Sequence, residues 1–447
     1  MLEFPKKRIT INLAPAELPK DGAHYDLPIV LAILCLSGQL QPSELDGAVY
    51  AGELALDGNL RPIKGAINIT QLAKDSGFKR IFLPIGNVDQ TSLITGIDIS
   101  GVSSIKELFL HIKQEVLIIP YQPDPSKPKA NRKIIPPILD DIKGQEQAKR
   151  ALIIASADHH NILLSGTPGA GKTMLAKALS NLLPDLTPEE QIAATKVHSF
   201  AGKVDGEVVI NRPFRSPHHT ASMVSMVGGG NQPKPGEISL AHTGVLFLDE
   251  IPEYPRSVLE ALRQPLEDRK IEVSRANAHV TYTADFMLVA TMNPCPCGYF
   301  VDKAKECTCS SSQIIAYQKR LSEPLVDRID LVVHVSRVPN ESLLNTDSLN
   351  DIQHLTALKS IVTAMDVQKS RFKRSAYYNS SMTNRDLKKC AALSPEAKSL
   401  LLVAADRLKL SARGYFKIIK LARTIADLEN KPNILPDHIS EALQYRM

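Results

Sequence analysis

The chain has 447 residues, 43% of them hydrophobic, with a formal net charge of +5 and six cysteines. That length accommodates two or three domains, and the composition excludes fibrous and mostly disordered classes. The longest apolar run, Leu27 to Leu36, is broken by Pro28 and too short to span a bilayer, and no charged-then-apolar leader opens the chain, so a cytoplasmic protein without membrane contact is expected. The mild positive charge permits polyanion binding without arguing for it.

From Met1 to Leu117, strand-like runs (Ile9 to Leu13, Val49 to Leu56, Arg80 to Leu83) alternate with helical ones (Leu27 to Gly38, Ala66 to Ser76), and Asp57-Gly58 marks a hairpin turn. Residues 1–117 therefore read as a small α/β domain. A linker follows over 118–137, with Pro120, Pro123, Pro125, Pro128, Pro136 and Pro137 interleaved with Lys127, Lys129, Arg132 and Lys133. Such a segment is semi-extended and packs poorly.

The nucleotide domain, 138–340, carries the strongest signal in the chain: Gly166-Thr167-Pro168-Gly169-Ala170-Gly171-Lys172-Thr173, between an apolar run ending at Leu164 and a helical pattern from Met174. This is a complete P-loop. Its glycines let backbone N–H groups close around phosphates, Lys172 reaches the β and γ oxygens, and Thr173 offers a hydroxyl to Mg²⁺, so ATP and Mg²⁺ are the expected cofactors. Three more apolar runs read as buried parallel strands: Val245 to Leu248, Met287 to Ala290 and Leu331 to Val335. Strands alternating with helices around a P-loop describe a parallel sheet covered on both faces.

The run Val245 to Leu248 delivers Asp249 and Glu250 at its C-terminal edge. Phosphoryl transfer needs positioning and charge neutralisation, which gives Asp249 the metal-bound water and Glu250 the attacking water. The next strand leads to Asn293, which suits holding the lytic water or capping a turn. Arg328 precedes the last strand and Arg413 opens a helix. Either is suited to stabilising charge on a γ-phosphate, one from a neighbouring subunit and one from the same chain, and either suits a surface ion pair. Cys295, Cys297, Cys307 and Cys309 form C-x-C-x9-C-x-C directly after Asn293; four thiols on one loop can close on Zn²⁺ or remain reduced and unliganded, and the one-residue spacing within each pair is unusual for chelation. From 341 to 447 the pattern is helical, including Pro395 to Leu408, Tyr415 to Glu429 and Pro436 to Tyr445, and reads as a lid.

Several longer runs carry a family resemblance. Gly236-Glu237-Ile238-Ser239-Leu240-Ala241-His242-Thr243-Gly244 before the acid pair, with Leu325-Val326-Asp327-Arg328-Ile329-Asp330-Leu331 later, resembles the AAA+ branch that holds magnesium-chelatase ATPase subunits and minichromosome-maintenance helicases. Phe214-Arg215-Ser216-Pro217-His218-His219-Thr220, Asn293-Pro294-Cys295-Pro296-Cys297-Gly298 and Ser411-Ala412-Arg413-Gly414-Tyr415 resemble the YifB/ComM group within it. Where that group commonly has Ser-Gly before Pro-Leu, this chain has Ser322-Glu323. The resemblance implies Asn293 as sensor 1, Arg328 as a trans arginine finger, Arg413 as the sensor-2 arginine, and hexameric rings. It implies ATP-driven translocation on single-stranded and branched DNA, promoting branch migration during natural transformation. A chelatase-type motor remodelling a protein partner is the competing reading.

By analogy with related helicases, Lys270 to Tyr282 is the hairpin that enters a ring pore, with Lys270, Arg275 and His279 as DNA-contact candidates and Arg275-Ala276-Asn277-Ala278 as its tip. Phe214 to Pro235, with Gly228-Gly229-Gly230 and the basic residues Arg212, Arg215 and Lys234, is a second candidate. Both suit ordinary surface hairpins as well. Lys369 to Tyr378 suits stacking plus charge, or a solvated helix face packed through its aromatics. The N-terminal domain resembles the Lon protease domain, with the serine position at His24 and the lysine position at Ile69, so a Ser-Lys mechanism is unavailable. Against that family an early segment is expected to be missing.

Overall fold

The computed structural model describes residues 5, 8–13, 22–122, 136–204, 206–230, 233–275, 278–300, 302, 305–338, 352–373 and 377–446, with only the backbone of 274, 275 and 278. Most of the linker and the tip of the 270–283 hairpin lie outside them.

The N-terminal part holds three parallel strands in the order β1 (Ala48–Tyr50), β2 (Arg80–Pro84), β3 (Asp98–Val102). Helices α1 (Asp26–Leu36), α2 (Ala66–Asp75) and α3 (Ile105–Ile112) flank them. The run Val49 to Leu56 does not form one strand: it leaves the sheet after Tyr50, and Glu53–Leu54 pairs instead with Leu60–Arg61. The expected turn joins them, with Gly58 at φ 84° and the Asp57 carboxylate accepting the Asn59 N–H at 3.0 Å. Ile9 to Leu13 is not a strand either. No partner strand pairs with it among the described residues, and Ile11 is left 54% exposed.

The central sheet has five parallel strands in the order β10 (Leu331–Val335), β4 (Ile162–Gly166), β9 (Met287–Met292), β6 (Val245–Leu248), β5 (Phe214–Arg215). Successive residues of a strand face opposite sides, so Ile162 and Leu164 enter one apolar cluster while Leu163 enters the other. With both faces covered, every residue of β4, β6 and β9 is buried, which is why these strands read as unbroken apolar runs. Helices α4 (Glu146–Asp158) and α5 (Lys172–Leu182) contribute to the first cluster. Helix α6 (Pro188–Phe200) starts on a Thr187–Glu190 capping box and carries the N-terminal part, through Ser199 Oγ accepting from Gly65 N–H at 3.1 Å and Lys196 Nζ donating to Gln71 at 3.2 Å.

Between β6 and β9 lie the short helix α7 (Arg263–Asp268) and the antiparallel hairpin β7 (Lys270–Arg275) and β8 (Ala278–Thr283). The C-terminal part is helical: α8 (Ile352–Phe372), α9 (Pro395–Arg407), α10 (Ala412–Leu428) and α11 (Pro436–Gln444). Ser411 caps α10, its hydroxyl accepting from Gly414 N–H at 3.1 Å, which starts that helix ahead of the apolar pattern. Ile361, Leu401 and Leu421 of these helices complete the first cluster of the sheet. A buried polar network fastens them further. Asp158, at the end of α4, accepts from Asn379 N–H and Ser380 N–H at 2.6 Å each, and from Thr424 Oγ1 at 3.0 Å. A mixed α/β protein with a mostly parallel central sheet is what the sequence pattern anticipates.

Candidate nucleotide site

Parallel strands that end side by side place their following loops side by side. β4 ends at Gly166, where a Cβ would sit 2.2 Å from the Val335 carbonyl oxygen of β10, so only glycine lets the two backbones approach. The loop then turns through Gly171 at φ 86° into α5, leaving backbone N–H groups free at the helix start. Lys172 Nζ is folded into this loop, donating to the carbonyls of Gly166 at 2.6 Å and Thr167 at 3.0 Å and to Asn293 Oδ1 at 3.0 Å. Burial lowers its pKa, opposed by the charges of Asp249 and Glu250.

The acid pair follows β6 and Asn293 follows β9, so both reach the same place. Asn293 Nδ2 donates to Glu250 Oε1 at 3.4 Å, which makes Lys172, Asn293 and Glu250 one polar chain. Thr291, at the end of β9, organises the pair from beneath: its hydroxyl donates to Asp249 Oδ1 and accepts from Glu250 N–H at 2.9 Å. Glu250 adopts a left-handed conformation, φ 51° and ψ 52°, which turns its carboxylate toward Asn293 while Asp249 faces Thr173. Thr173 Oγ1 and Asp249 Oδ2 are 3.5 Å apart. They are hard oxygen donors at a helix start, and Mg²⁺ takes such donors together with phosphate oxygens. Thr167 Oγ1 is buried without a partner among the described residues, inside the loop that would hold those phosphates.

The two arginines sit elsewhere. Asn161 precedes β4 and its Nδ2 donates to the Arg328 carbonyl at 2.9 Å, so Arg328 lies at the opposite end of the strand from Lys172, about 16 Å of β-strand away. Arg328 pairs with Glu267 of α7, and Arg413 Nη2 lies 3.7 Å from the other oxygen of that carboxylate. The expectation that one arginine serves the chain's own site is therefore corrected: both stand at the edge remote from it.

The comparisons agree with this architecture. Family models described as "Magnesium chelatase, subunit ChlI", "Subunit ChlI of Mg-chelatase" and "Magnesium chelatase, subunit ChlI C-terminal" match residues 138–343, 1–87 and 355–446. The competence protein ComM of Haemophilus influenzae is 42% identical over 99% of this chain and 86% of its own length. The uncharacterized protein YifB of Escherichia coli is 41% identical with the same coverage. The chain belongs to the YifB/ComM family of magnesium-chelatase-like AAA+ proteins. A magnesium-chelatase 67 kDa subunit of Chlorobaculum parvum is similar over a smaller part, 28% identical across 34% of this chain and 23% of its own.

Some basic residues of this YifB/ComM chain are committed to the fold. Arg212 is bidentate on Glu190 at 3.0 and 2.9 Å, and both side chains are more than nine-tenths buried. Arg215 is bidentate on Glu237 at 2.7 and 2.8 Å, and with Phe214 it forms the edge strand β5. Both therefore spend their charge on the fold, Arg212 in a buried pair and Arg215 in a partly exposed one. Arg371 likewise pairs with the buried Asp427, its Nη1 donating at 2.8 Å. In the 270–283 hairpin, Ile271 and Val273 face the core while Lys270 pairs with Glu272 at 3.3 Å. His279 is exposed, and the Arg275 side chain lies outside the described residues.

The four cysteines converge: one sulfur atom from each lies within 4.8 Å of the others. His24 sits in a 3₁₀ turn (Ala23–Tyr25) and Ile69 packs against the N-terminal core. Neither supplies a nucleophile and amine base. Sequence reasoning passed over Thr291 and Glu267. A Thr two residues before the Asn at a strand end is a usable signal for the first, whereas Glu267 is 61 residues from Arg328 and carries none.

Proposed function

We propose that the protein is an ATP-hydrolysing AAA+ ring motor, a hexamer, that translocates on single-stranded and branched DNA and promotes branch migration during recombination and natural transformation. The observation that carries the motor reading is the division of the machinery between two ends of one sheet. Lys172, Thr173, Asp249, Glu250 and Asn293 gather at the C-terminal ends of β4, β6 and β9, while Arg328 and Arg413 gather at the opposite end. Such a site becomes complete only when a neighbouring copy presents its arginines to it.

In this mechanism Gly166 to Gly171 and Lys172 bind the ATP phosphates, and Thr173 and Asp249 hold Mg²⁺, which neutralises phosphate charge when bound. Glu250 orients and polarises the attacking water, Asn293 fixes that water and the carboxylate together, and the neighbour's arginines stabilise charge on the transferring group. The C-terminal helices act as the lid, and the N-terminal part as a Lon-like scaffold without protease chemistry. DNA as the track is supported by the likeness to a competence protein of Haemophilus influenzae and by the hairpin bearing Lys270, Arg275 and His279. The cytoplasm, where the six cysteines stay reduced, is the compartment this reading needs.

A chelatase-type motor acting on a protein partner is favoured instead by the family-model descriptions. Steady-state ATP turnover with and without single-stranded and branched DNA separates the two. The DNA motor gives turnover that rises with DNA, falls with salt, vanishes in Glu250→Gln and loses its DNA response in Arg275→Ala. DNA-indifferent turnover from an assembled ring would overturn it in favour of the protein-remodelling reading.

A further inference from the structure

The loop that carries Asn293 continues at once into the cysteine cluster. Cys295 and Cys297 sulfurs are 3.4 Å apart, Cys295 and Cys307 3.7 Å, and Cys297 and Cys307 3.6 Å. All four cysteines are unbridged, and Cys295 is fully buried. One Zn²⁺ with four thiolates at about 2.3 Å in a tetrahedron separates its sulfurs by about 3.8 Å. The observed spacings match that geometry, and they are too tight to wrap a multi-iron cluster. The Cys297 N–H points at Cys309 Sγ at 3.4 Å, the kind of donor that stabilises a metal-bound thiolate.

The cluster is also mechanically joined to the nucleotide site. Gly298 abuts Pro168 of the P-loop so closely that a Cβ would lie 2.6 Å from the proline ring. Pro294, between Asn293 and Cys295, is held by Gln318 Nε2 donating to its carbonyl at 3.2 Å.

We infer that Cys295, Cys297, Cys307 and Cys309 bind one structural Zn²⁺ that holds the loop from Asn293 to Gly298 against the P-loop and so positions Asn293. Each thiol releases its proton to solvent as the ion binds, giving a Zn(Cys)₄ centre with no change of oxidation state. The ion touches no substrate; it is a positioning device. The metal site stands on its own geometry, while its effect on turnover rests on the ATPase reading above.

The test uses the full chain purified without chelator. Elemental analysis is expected to give close to one zinc and no stoichiometric iron per chain, and a Cys307→Ser/Cys309→Ser variant is expected to lose it. Because that variant can fail to fold, a mercurial reagent is used to strip the wild type, excess small thiol then takes the mercury off the cysteines, and zinc or cobalt is added. Reloading with Co²⁺ is expected to give the intense visible bands of a tetrahedral thiolate site. Stripping should lower ATP turnover about 10-fold or more, reversibly on zinc addition, and should add little in an Asn293→Ala background. A chain without zinc that takes up no Co²⁺ overturns the site, and stoichiometric zinc whose removal leaves turnover unchanged overturns the positioning role. If the zinc-loaded chain hydrolyses no ATP at all, the ATPase reading fails while the metal content still reports on the site.

Discussion

Arg328 and Arg413 meet on one carboxylate: Glu267 pairs with the first through one oxygen and faces the second at 3.7 Å through the other. The Arg328 side chain is only 10% exposed, and without Glu267 two guanidinium groups would stand together uncompensated. Glu267→Ala is expected to cost about 1–2 kcal/mol of stability. Arg328→Ala in that background should cost less than alone, with a coupling of about 1 kcal/mol in a double-mutant cycle measured by urea unfolding. Additive losses would mean that the pairing contributes nothing.

Glu250 is expected to act on the water and not on nucleotide binding. Glu250→Gln should cut the turnover number about 100-fold or more while leaving the affinity for a fluorescent ATP analogue nearly unchanged. Lys172→Ala should instead weaken binding itself, since Lys172 reaches both the loop carbonyls and Asn293.

The buried Arg212–Glu190 pair makes a prediction opposite to that for a DNA contact. Arg212→Ala leaves the Glu190 carboxylate buried and is expected to destabilise the fold by about 3–5 kcal/mol. A thermal melt reads that loss directly; an unshifted melt with weakened DNA binding would return Arg212 to the interface.

His160 gives the fold a pH dependence. Burial pushes its pKa down, but the charge of Asp158, 3.0 Å from Nε2, and that of Asp330, 3.4 Å from Nδ1, more than offset this and raise it to about 9. The folded value lies above the unfolded value of about 6.5, so this stabilisation is complete below pH ~6.5 and is lost as pH rises through about 9, and burial of Asp158, which raises its own pKa, offsets part of it. Urea unfolding between those pH values should show the fall, and His160→Gln should flatten it. Asp330 contributes on the acid side: burial raises its pKa, but the adjacent His160 and Lys417 hold it at about 2, so its share is lost as pH falls toward that value.

The nucleotide strands were legible because burial on both faces demands unbroken apolar runs, and the P-loop and acid pair because phosphate chemistry restricts which residues can sit there. The short and the paired were not. β5 has two residues, too few for any period, and the buried face of α8, though regularly spaced, includes the polar His354 and Gln368 beside Ala357, Ile361 and Ala364, so its apolar stripe is too thin to stand out. Arg212 and Arg215 looked like loose cations because Glu190 and Glu237 each lie 22 residues away, a distance that sequence spacing does not bridge. Chain order says nothing about which end of the sheet α10 approaches, so which site Arg413 serves is not legible in the sequence.

Placing the phosphate-binding machinery at one end of a parallel sheet and the paired arginines at the other gives the subunit a head and a tail. On the proposed reading such units associate only head to tail, and two defective alleles can rescue each other. A chain lacking Lys172 still offers arginines to its neighbour, and a chain lacking Arg328 still offers an intact phosphate site. At the junction where the first follows the second in the right order, a working centre reappears from two inactive polypeptides.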